Sequence, residues 1–330
     1  MLNRAGGSQN SAYDDMAFLV GPQGWHSQEA LLSLARYETI YLNEQFENGG
    51  DGTKFELENV IVPDSPTDGP ESLKNGTGRV GIDIGVSNEI AQQQAGNPEF
   101  YRGHLVLKNN RTEDDFGAIS DLALAMHKDG DALFTATNEI MDVDLWMRLH
   151  AAHSHLGHFD TYGIGNPRNL RIYARPVDGK IIPFLWDCDN CGFQGGYFAK
   201  SSNVSRLDEI RDIPHNLRLY WGHLLDLINR SFNEQYVAIW ADHYGQLVSF
   251  NVALTSGTRF FRTFPELTRK RTELALREIN AAIPPIDFQI TTKDGLKLNS
   301  EEGTVTLEGK GWINVRRIRL AGSGGSGQGG

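Results

Sequence analysis

The residues best suited to chemistry lie between Leu156 and Gly192, in the segment LGHFDTYGIGNPRNLRIYARPVDGKIIPFLWDCDNCG. Asp160 stands just past a predicted helix end, in a loop punctuated by Gly163, Gly165 and Pro167. Asn169 closes that loop where a strand should begin, and Trp186-Asp187-Cys188-Asp189 follows a second strand. The order is helix, aspartate loop, asparagine, hairpin, aspartate. Phosphoryl transfer needs such a set: one carboxylate to orient or deprotonate an acceptor hydroxyl, and hard oxygen ligands to hold a divalent cation against phosphates. Mg²⁺ takes one or two carboxylates and keeps several waters, so Asn169 with Asp187 or Asp189 suffices. Taken singly, each residue also has a plainer reading. Asp160 can be a turn residue bonded to its own backbone. Asp187 and Asp189 share one side of an extended strand, where like charges call for either solvent or a metal.

The elements that must hold these residues can be read from periodicity. Phe116, Ile119, Leu122 and Met126 fall at helical spacing, which predicts a helix over Asp114–Met126. Asp142 is placed to cap a helix that presents Val143, Trp146, Met147 and Ala151 on one face and ends at Gly157. Leu170–Ala174 and Ile181–Trp186 alternate as strands around the turn Pro176–Gly179, which makes a β-hairpin. A hairpin fixes both of its ends through its ladder. Before this region, polar loop and a short helix lead to a predicted strand, Glu38–Asn43. The stretch from Pro63 to Gly96 reads as loop with one strand, Val80–Ile84. After the hairpin, Leu217, Tyr220, Trp221, Leu224 and Ile228 mark one helix, and Val237, Trp240 and Tyr244 mark another. Pro265 is expected to open a last helix through Leu267, Leu274 and Ile279. Trp146, Trp221 and Trp240 read as core. Beyond Pro284-Pro285, the segments Asp287–Thr292, Thr304–Leu307 and Trp312–Leu320 read as strands of a small β module, too short to close a sheet core alone. A flexible Gly/Ser tail follows.

Other candidate groups carry weaker signals. His150, His153, His155 and His158 invite a metal, but the zinc-protease H-E-x-x-H pattern is absent, so surface or loop-packing histidines are the preferred reading. The two cysteines, Cys188 and Cys191, form a lone C-x-x-C: a redox pair, half of a zinc site, a local disulfide, or small residues lining a turn. Lys108 and Arg111, in KNNR, either meet phosphates or pair with Glu113, Asp114 and Asp115. Arg168 either touches phosphate or bridges an acidic neighbour.

Bulk properties set the frame. The chain has 330 residues, 39% hydrophobic and 22% charged, enough for one large domain or two ordinary ones. A net charge of −11 argues against nucleic acid or an anionic membrane surface as partner. No apolar run approaches the roughly 18–20 residues of a membrane span. The opening, MLNRAGG, is polar rather than basic-then-apolar, so either the chain is cytoplasmic or its true start has been removed, and the second is the expectation.

The block HFDTYGIGNPRN…IPFLWDCD resembles the hallmark of the spore coat protein H-like (CotH-type) atypical protein kinases, with its D-x-Y-G loop and a hairpin ending in P-W-D-x-D. Leu107–Phe116 (LKNNRTEDDF) and Asp142–Met147 (DVDLWM) are similar to the family's K-N-N-R-x-E-D-D and D-V-D-x-W-M segments. The resemblance covers roughly residues 1–282. It implies an α+β, protein-kinase-like fold, a mostly helical carboxyl lobe with a catalytic β-hairpin and a partial amino lobe, to which the strand-like segments beyond Pro285 add an appended β segment. The organisation would be a kinase domain over 1–283, a partial β module over 284–321 and a linker tail over 322–330. It further implies ATP with Mg²⁺ or Mn²⁺, transfer to Ser or Thr hydroxyls of protein substrates, and an extracellular or cell-surface location. By position, Asp160 is the catalytic residue, and Asn169, Asp187 and Asp189 are metal ligands. Glu44, Lys108, Arg111 and Arg168 contact the nucleotide. A shortened strand pair before Glu44, and Asn190-Cys191 where the family has an apolar aromatic position, depart from the pattern. Two rivals remain: a catalytically inactive pseudokinase serving as a surface or adhesion module, and a metal-dependent hydrolase built on the histidines and aspartates.

Overall fold

A computed structural model describes residues 14–19, 29–57, 61–63, 74–76, 83–85, 96–102, 105–165, 168–188, 191, 205–249, 255–296 and 305–319. The architecture is α+β. A hairpin of β1 (Asp14–Leu19) and β2 (Glu29–Leu34) leads into α1 (Thr39–Gln45), and β3 (Thr53–Leu57) follows. Then come the short pair β4 (Ile61–Pro63) and β5 (Lys74–Gly76), α2 (Pro98–Arg102), β6 (Leu105–Leu107), α3 (Gly117–Met126), α4 (Gly130–Ile140) and α5 (Val143–Leu156). The hairpin β7 (Leu170–Ala174) and β8 (Ile181–Leu185) precedes α6 (Arg206–Asp212), α7 (Pro214–Arg230), α8 (Glu234–Ser249) and α9 (Thr255–Ala282). Two-residue strands β9 (Gln289–Ile290) and β10 (Gly309–Lys310) pair near the end.

Strands β6, β3, β7 and β8 form one antiparallel sheet in that order, and its two faces differ. Phe55, Leu57, Leu170, Ile172 and Ile181 join the main core with Trp146, Met147, Tyr220 and Leu224 of the helices. Tyr173, Ile182 and Phe184 take the opposite face, as the two-residue period of a strand requires, and pack with Tyr37, Leu42 and Phe46. Tyr37 stacks on Phe184 at 4.3 Å. At the outer edge of β8, the Ile181 carbonyl accepts from the Asp142 N–H at 3.1 Å and from Trp146 Nε1 at 2.9 Å. Two residues on stands Pro183, and the Leu185 carbonyl accepts from the Tyr37 hydroxyl at 2.7 Å.

Helix α5, which leads to the aspartate loop, begins and ends where its sequence dictates. The Asp142 carboxylate accepts from the Leu145 N–H at 3.3 Å, and Arg175 of the hairpin holds the other carboxylate oxygen at 3.2 Å. Gly157, at φ 62°, turns the chain through the left-handed region that terminates the helix. A helix forms within each predicted span, starting at Gly117 rather than Asp114 in the first, and the hairpin forms with its strands closing at Leu185 rather than Trp186.

Other expectations are corrected. The stretch before residue 35 holds two paired strands where polar loop and a short helix were expected. Glu38–Asn43 is not a strand: Thr39–Gln45 is helical, with Leu42 and Phe46 buried one turn apart and Ile40 left 76% exposed. A strand would have turned Ile40 and Leu42 to the same side. Of the strand expected at Val80–Ile84, residues 80–82 lie outside the described residues, while Ile84 sits in a turn. Pro265 does not open the last helix but lies inside it. Packing of Phe261 on Tyr244 and of Phe264 on Phe232 accompanies the helical turns upstream of the proline. Of the three terminal strand predictions, Gln289–Ile290 alone coincides with a strand, and its partner is Gly309–Lys310. Ile313 is buried in the main core, and the Trp312 indole donates to the Ile283 carbonyl at 2.7 Å. Trp146 and Trp221 are core residues, whereas Trp240 is half-buried and stacks on Tyr244 at 5.9 Å. Among the described residues, no helix is long and apolar enough to cross a membrane.

His150 of α5 is buried beside Arg211, 3.4 Å away, and Asp208, 3.9 Å away. Burial, with the neighbouring guanidinium, pushes its pKa down to about 3. The unfolded chain would protonate this imidazole below about 6.5 while the folded chain would not, so its contribution to stability is complete above that pH and is lost toward pH 3. Urea midpoints should therefore fall on acidification from pH 7 to pH 5. In His150→Gln the fall should be shallower by roughly 1.4 kcal/mol per pH unit. Parallel pH profiles for the two proteins would reject this account.

Candidate active site

The loop between α5 and β7 turns tightly enough to bring its two ends together. Ile164 and Gly165 both donate to the Thr161 carbonyl, at 3.3 and 3.2 Å. A side chain at position 165 would put its Cβ 2.1 Å from the Phe159 carbonyl oxygen, so this position demands glycine. Tyr162 N–H donates to the Arg168 carbonyl at 2.9 Å, and the Thr161 hydroxyl donates to the Asn169 carbonyl at 3.2 Å. Asn169 itself adopts φ 52°, a left-handed conformation that asparagine tolerates better than most residues.

This closure sets Asp160 against its neighbours. The carboxylate, 4% exposed, receives Arg168 at both oxygens: Nε to Oδ1 at 2.6 Å and Nη2 to Oδ2 at 2.5 Å. Asn169 Nδ2 donates to the Asp160 carbonyl at 2.8 Å and to Oδ2 at 3.3 Å. The last register pair of the hairpin is Leu170 with Leu185, so Asn169 and Trp186 flank its open end and Asp187 follows directly. Asp187 is exposed at φ 49°. The hairpin therefore carries Arg168, Asn169 and Asp187 at one end, with Asp160 bonded to two of them. Asp189 lies outside the described residues.

Beneath this end runs a buried charged layer that sequence reasoning missed. Glu56 of β3, 3% exposed, accepts at Oε2 from Arg171 Nε and Nη2 at 2.9 and 2.8 Å and from Lys108 Nζ at 2.7 Å. The Arg171 guanidinium lies 3.2 Å from the centroid of the Trp186 ring, next to Asp187. Lys54, two residues from Glu56 and on the same face, is 1% exposed, donates to the Tyr37 carbonyl and lies 3.7 Å from Glu38. Desolvation lowers its pKa, with the nearby Glu38 opposing. The signal was available: TKFEL alternates charged and apolar residues, and LRIYA answers it with Arg171 across the ladder.

Lys108 thus reaches the hairpin end through Glu56 and Arg171. Arg111 does not: its Nε donates to the Leu107 carbonyl at 3.1 Å. Glu44 is exposed on α1 rather than ending a strand, and among the described residues it makes no contact with the Asp160 group.

The loop is also held from below. The Tyr162 hydroxyl donates to Asp83 Oδ1 at 2.5 Å, and Asp83 Oδ2 accepts from the Arg206 N–H at 2.8 Å. Desolvation raises the Asp83 pKa, with these hydrogen bonds opposing. The four histidines are all buried, which corrects the surface reading: 150, 153, 155 and 158 are each 2% exposed or less. His155 packs edge-on against Phe232 at 4.5 Å, and His153 against His158 at 5.0 Å. Cys188 and Cys191 are not joined in a disulfide, and Cys188 Sγ lies 3.6 Å from His158 Nδ1.

Replacing Tyr162 with Phe removes a donor from a poorly solvated carboxylate, so Tyr162→Phe should destabilise the fold by about 1–3 kcal/mol. Amide hydrogen exchange across residues 160–165 should quicken in the same variant. Unchanged exchange there would mean that Asp83 does not anchor the loop.

Among curated proteins, none matches this chain. The family model for CotH kinase protein matches residues 81–254, just over half of the chain, a span that contains the aspartate loop, the hairpin and the helices that support them. The chain belongs to the CotH kinase protein family.

Proposed function

We propose that this protein is an atypical protein kinase that transfers the γ-phosphoryl group of ATP to Ser or Thr hydroxyls of extracellular or cell-surface proteins. One observation carries the reading: the Asn169 amide nitrogen is committed to Asp160, main chain and side chain, at 2.8 and 3.3 Å. That commitment turns the amide oxygen away from Asp160. With Asn169 and Asp187 at the same open end of the hairpin, their oxygens would make a hard, all-oxygen set, which fits Mg²⁺ or Mn²⁺ and not a softer metal. We assign Asn169 and Asp187 as its ligands, with Asp189 as a further carboxylate. When bound, the cation would neutralise charge on the nucleotide phosphates.

Asp160 orients the acceptor hydroxyl and takes up its proton. Arg168 and Asn169 restrict the carboxylate to one rotamer, so little reorientation is required as the hydroxyl approaches. Lys108 and Arg168 supply cationic charge toward the phosphates. The Glu56 carboxylate keeps Lys108 and Arg171 side by side despite their mutual repulsion. Arg111 and Glu44 take no part in this reading. A second reading, a binding module on a retired kinase fold, is favoured by the same Arg168 pair, because it engages both oxygens of Asp160.

Transfer of radiolabelled phosphate from ATP to a Ser/Thr-rich acceptor protein tests the assignment. Asp160→Ala should lower the rate about 10²–10⁴-fold, the usual contribution of a positioned proton acceptor. Asp187→Ala should lower it and raise the divalent cation concentration required. Equal labelling by the parent protein and Asp160→Ala would remove the catalytic assignment. A thermal shift with ATP and Mg²⁺ but no transfer would favour the binding module.

A further inference from the structure

We propose that His153, His158, Cys188 and Cys191 form a structural Zn²⁺ site that cross-links the aspartate loop to the end of the hairpin. One ligand atom from each of His153, His158 and Cys188 lies within 4.8 Å of the other two. These residues come from three different places: the last turn of α5, the first residue of the loop after Gly157, and the position after Asp187. Side chains so separated in sequence do not converge on one point through local propensity alone.

The geometry suits zinc. With Zn–N near 2.0–2.1 Å and Zn–S near 2.3 Å, neighbouring ligand atoms of a tetrahedral site stand about 3.4–3.8 Å apart. Cys188 Sγ is 3.6 Å from His158 Nδ1. The His153 and His158 ring centroids are 5.0 Å apart, close to the roughly 5 Å that two imidazoles on one tetrahedral ion would span. His153 Nε2 is buried and has no hydrogen-bond partner among the described residues. A buried ring nitrogen left this way costs stability unless something accepts it. Cys191 supplies the fourth donor. Its backbone pairs with that of His158, and its Sγ lies 3.2 Å from the Cys188 carbonyl, which sets it next to two of the other three donors' residues. The spacings H-x-x-x-x-H and C-x-x-C are those of a Cys₂His₂ set.

The donor chemistry separates this site from the oxygen set at Asn169 and Asp187. Two imidazoles and two thiolates suit zinc, whereas Mg²⁺ requires oxygen. Binding displaces the two thiol protons to solvent and leaves no coordination position for substrate, which makes the role structural. His158 is two residues from Asp160, and Cys188 adjoins Asp187. A metal here would fix the separation of the loop and the hairpin end.

Elemental analysis of the full chain, purified without added metal and with thiols kept reduced, should find one zinc per molecule. A zinc chelator should lower its melting temperature, and added Zn²⁺ should restore it. Substitution with Co²⁺ should give tetrahedral ligand-field bands and a thiolate-to-metal charge-transfer band. Cys188→Ser and His153→Gln should weaken metal binding by more than the roughly 10–100-fold that loss of an outer partner costs. Cys191→Ser should halve the charge-transfer intensity, and unchanged intensity would remove Cys191 from the set. Should a variant fail to fold, alkylation of the parent protein serves instead: Zn²⁺ should protect Cys188 and Cys191 from iodoacetamide. The proposal is overturned by a protein that takes up neither zinc nor cobalt, by a Cys188–Cys191 disulfide that zinc does not prevent, or by binding unchanged in Cys188→Ser. Each readout is independent of phosphate transfer, so failure here leaves the kinase reading standing, and the converse holds.

Discussion

The Asn169 side chain, held in a left-handed backbone conformation, is the contact on which the site depends. Its amide reaches across nine residues to grip both the backbone and the carboxylate of Asp160. Asn169 immediately precedes β7, so the grip couples the loop to a ladder-bound strand. A helix end cannot position a loop carboxylate alone, because loops carry few fixed hydrogen bonds of their own. Here the loop is fixed at its far end, and Arg168, Thr161 and Tyr162 add bonds between the same two stretches.

The sheet under that contact is unusual in burying charge on one of its faces. Lys54, Glu56 and Arg171 lie 1–6% exposed beside the aromatic cluster of Tyr37, Tyr173 and Phe184. Buried charges are costly when unpaired, and here one carboxylate serves Arg171 and Lys108 together. Such a layer is a poor source of stability, since well-packed apolar residues would do as well. Placed next to Trp186, it contributes to the electrostatic potential at the hairpin's open end.

How much of this was legible in the sequence depended on the range of the interaction. Asp142 and Gly157 announced the limits of α5 because capping is a local matter of one residue and its backbone. PVDG announced the hairpin for the same reason, and the hairpin's register then placed Asn169 and Asp187 at one end. The identity of Thr39–Gln45 was hidden, because its helical form is decided by Leu42 and Phe46 meeting aromatic residues from β7 and β8, more than a hundred residues away. The helical path through Pro265 depends on contacts with α8 and with Phe232 at the end of α7. The histidines read as surface groups because imidazole is compatible with both environments, and only the packing of α5 against α6, α7 and α9 reveals which applies. Glu56 and Arg171 each stood out among apolar neighbours in the sequence, but their pairing could be read only once β3 was known to lie beside β7.

The outer margin of β8 has a consequence of its own. Strand margins with unused donors and acceptors are templates onto which another chain can add. Along this margin the Ile181 carbonyl is taken by Asp142 and Trp146, the Leu185 carbonyl by Tyr37, and Pro183 between them has no N–H to offer. These contacts disfavour the addition of a strand from a neighbouring molecule or an extended peptide on this side of the sheet. Self-association by β-augmentation is disfavoured there, and a segment that reaches this margin meets a ladder whose groups are largely spoken for.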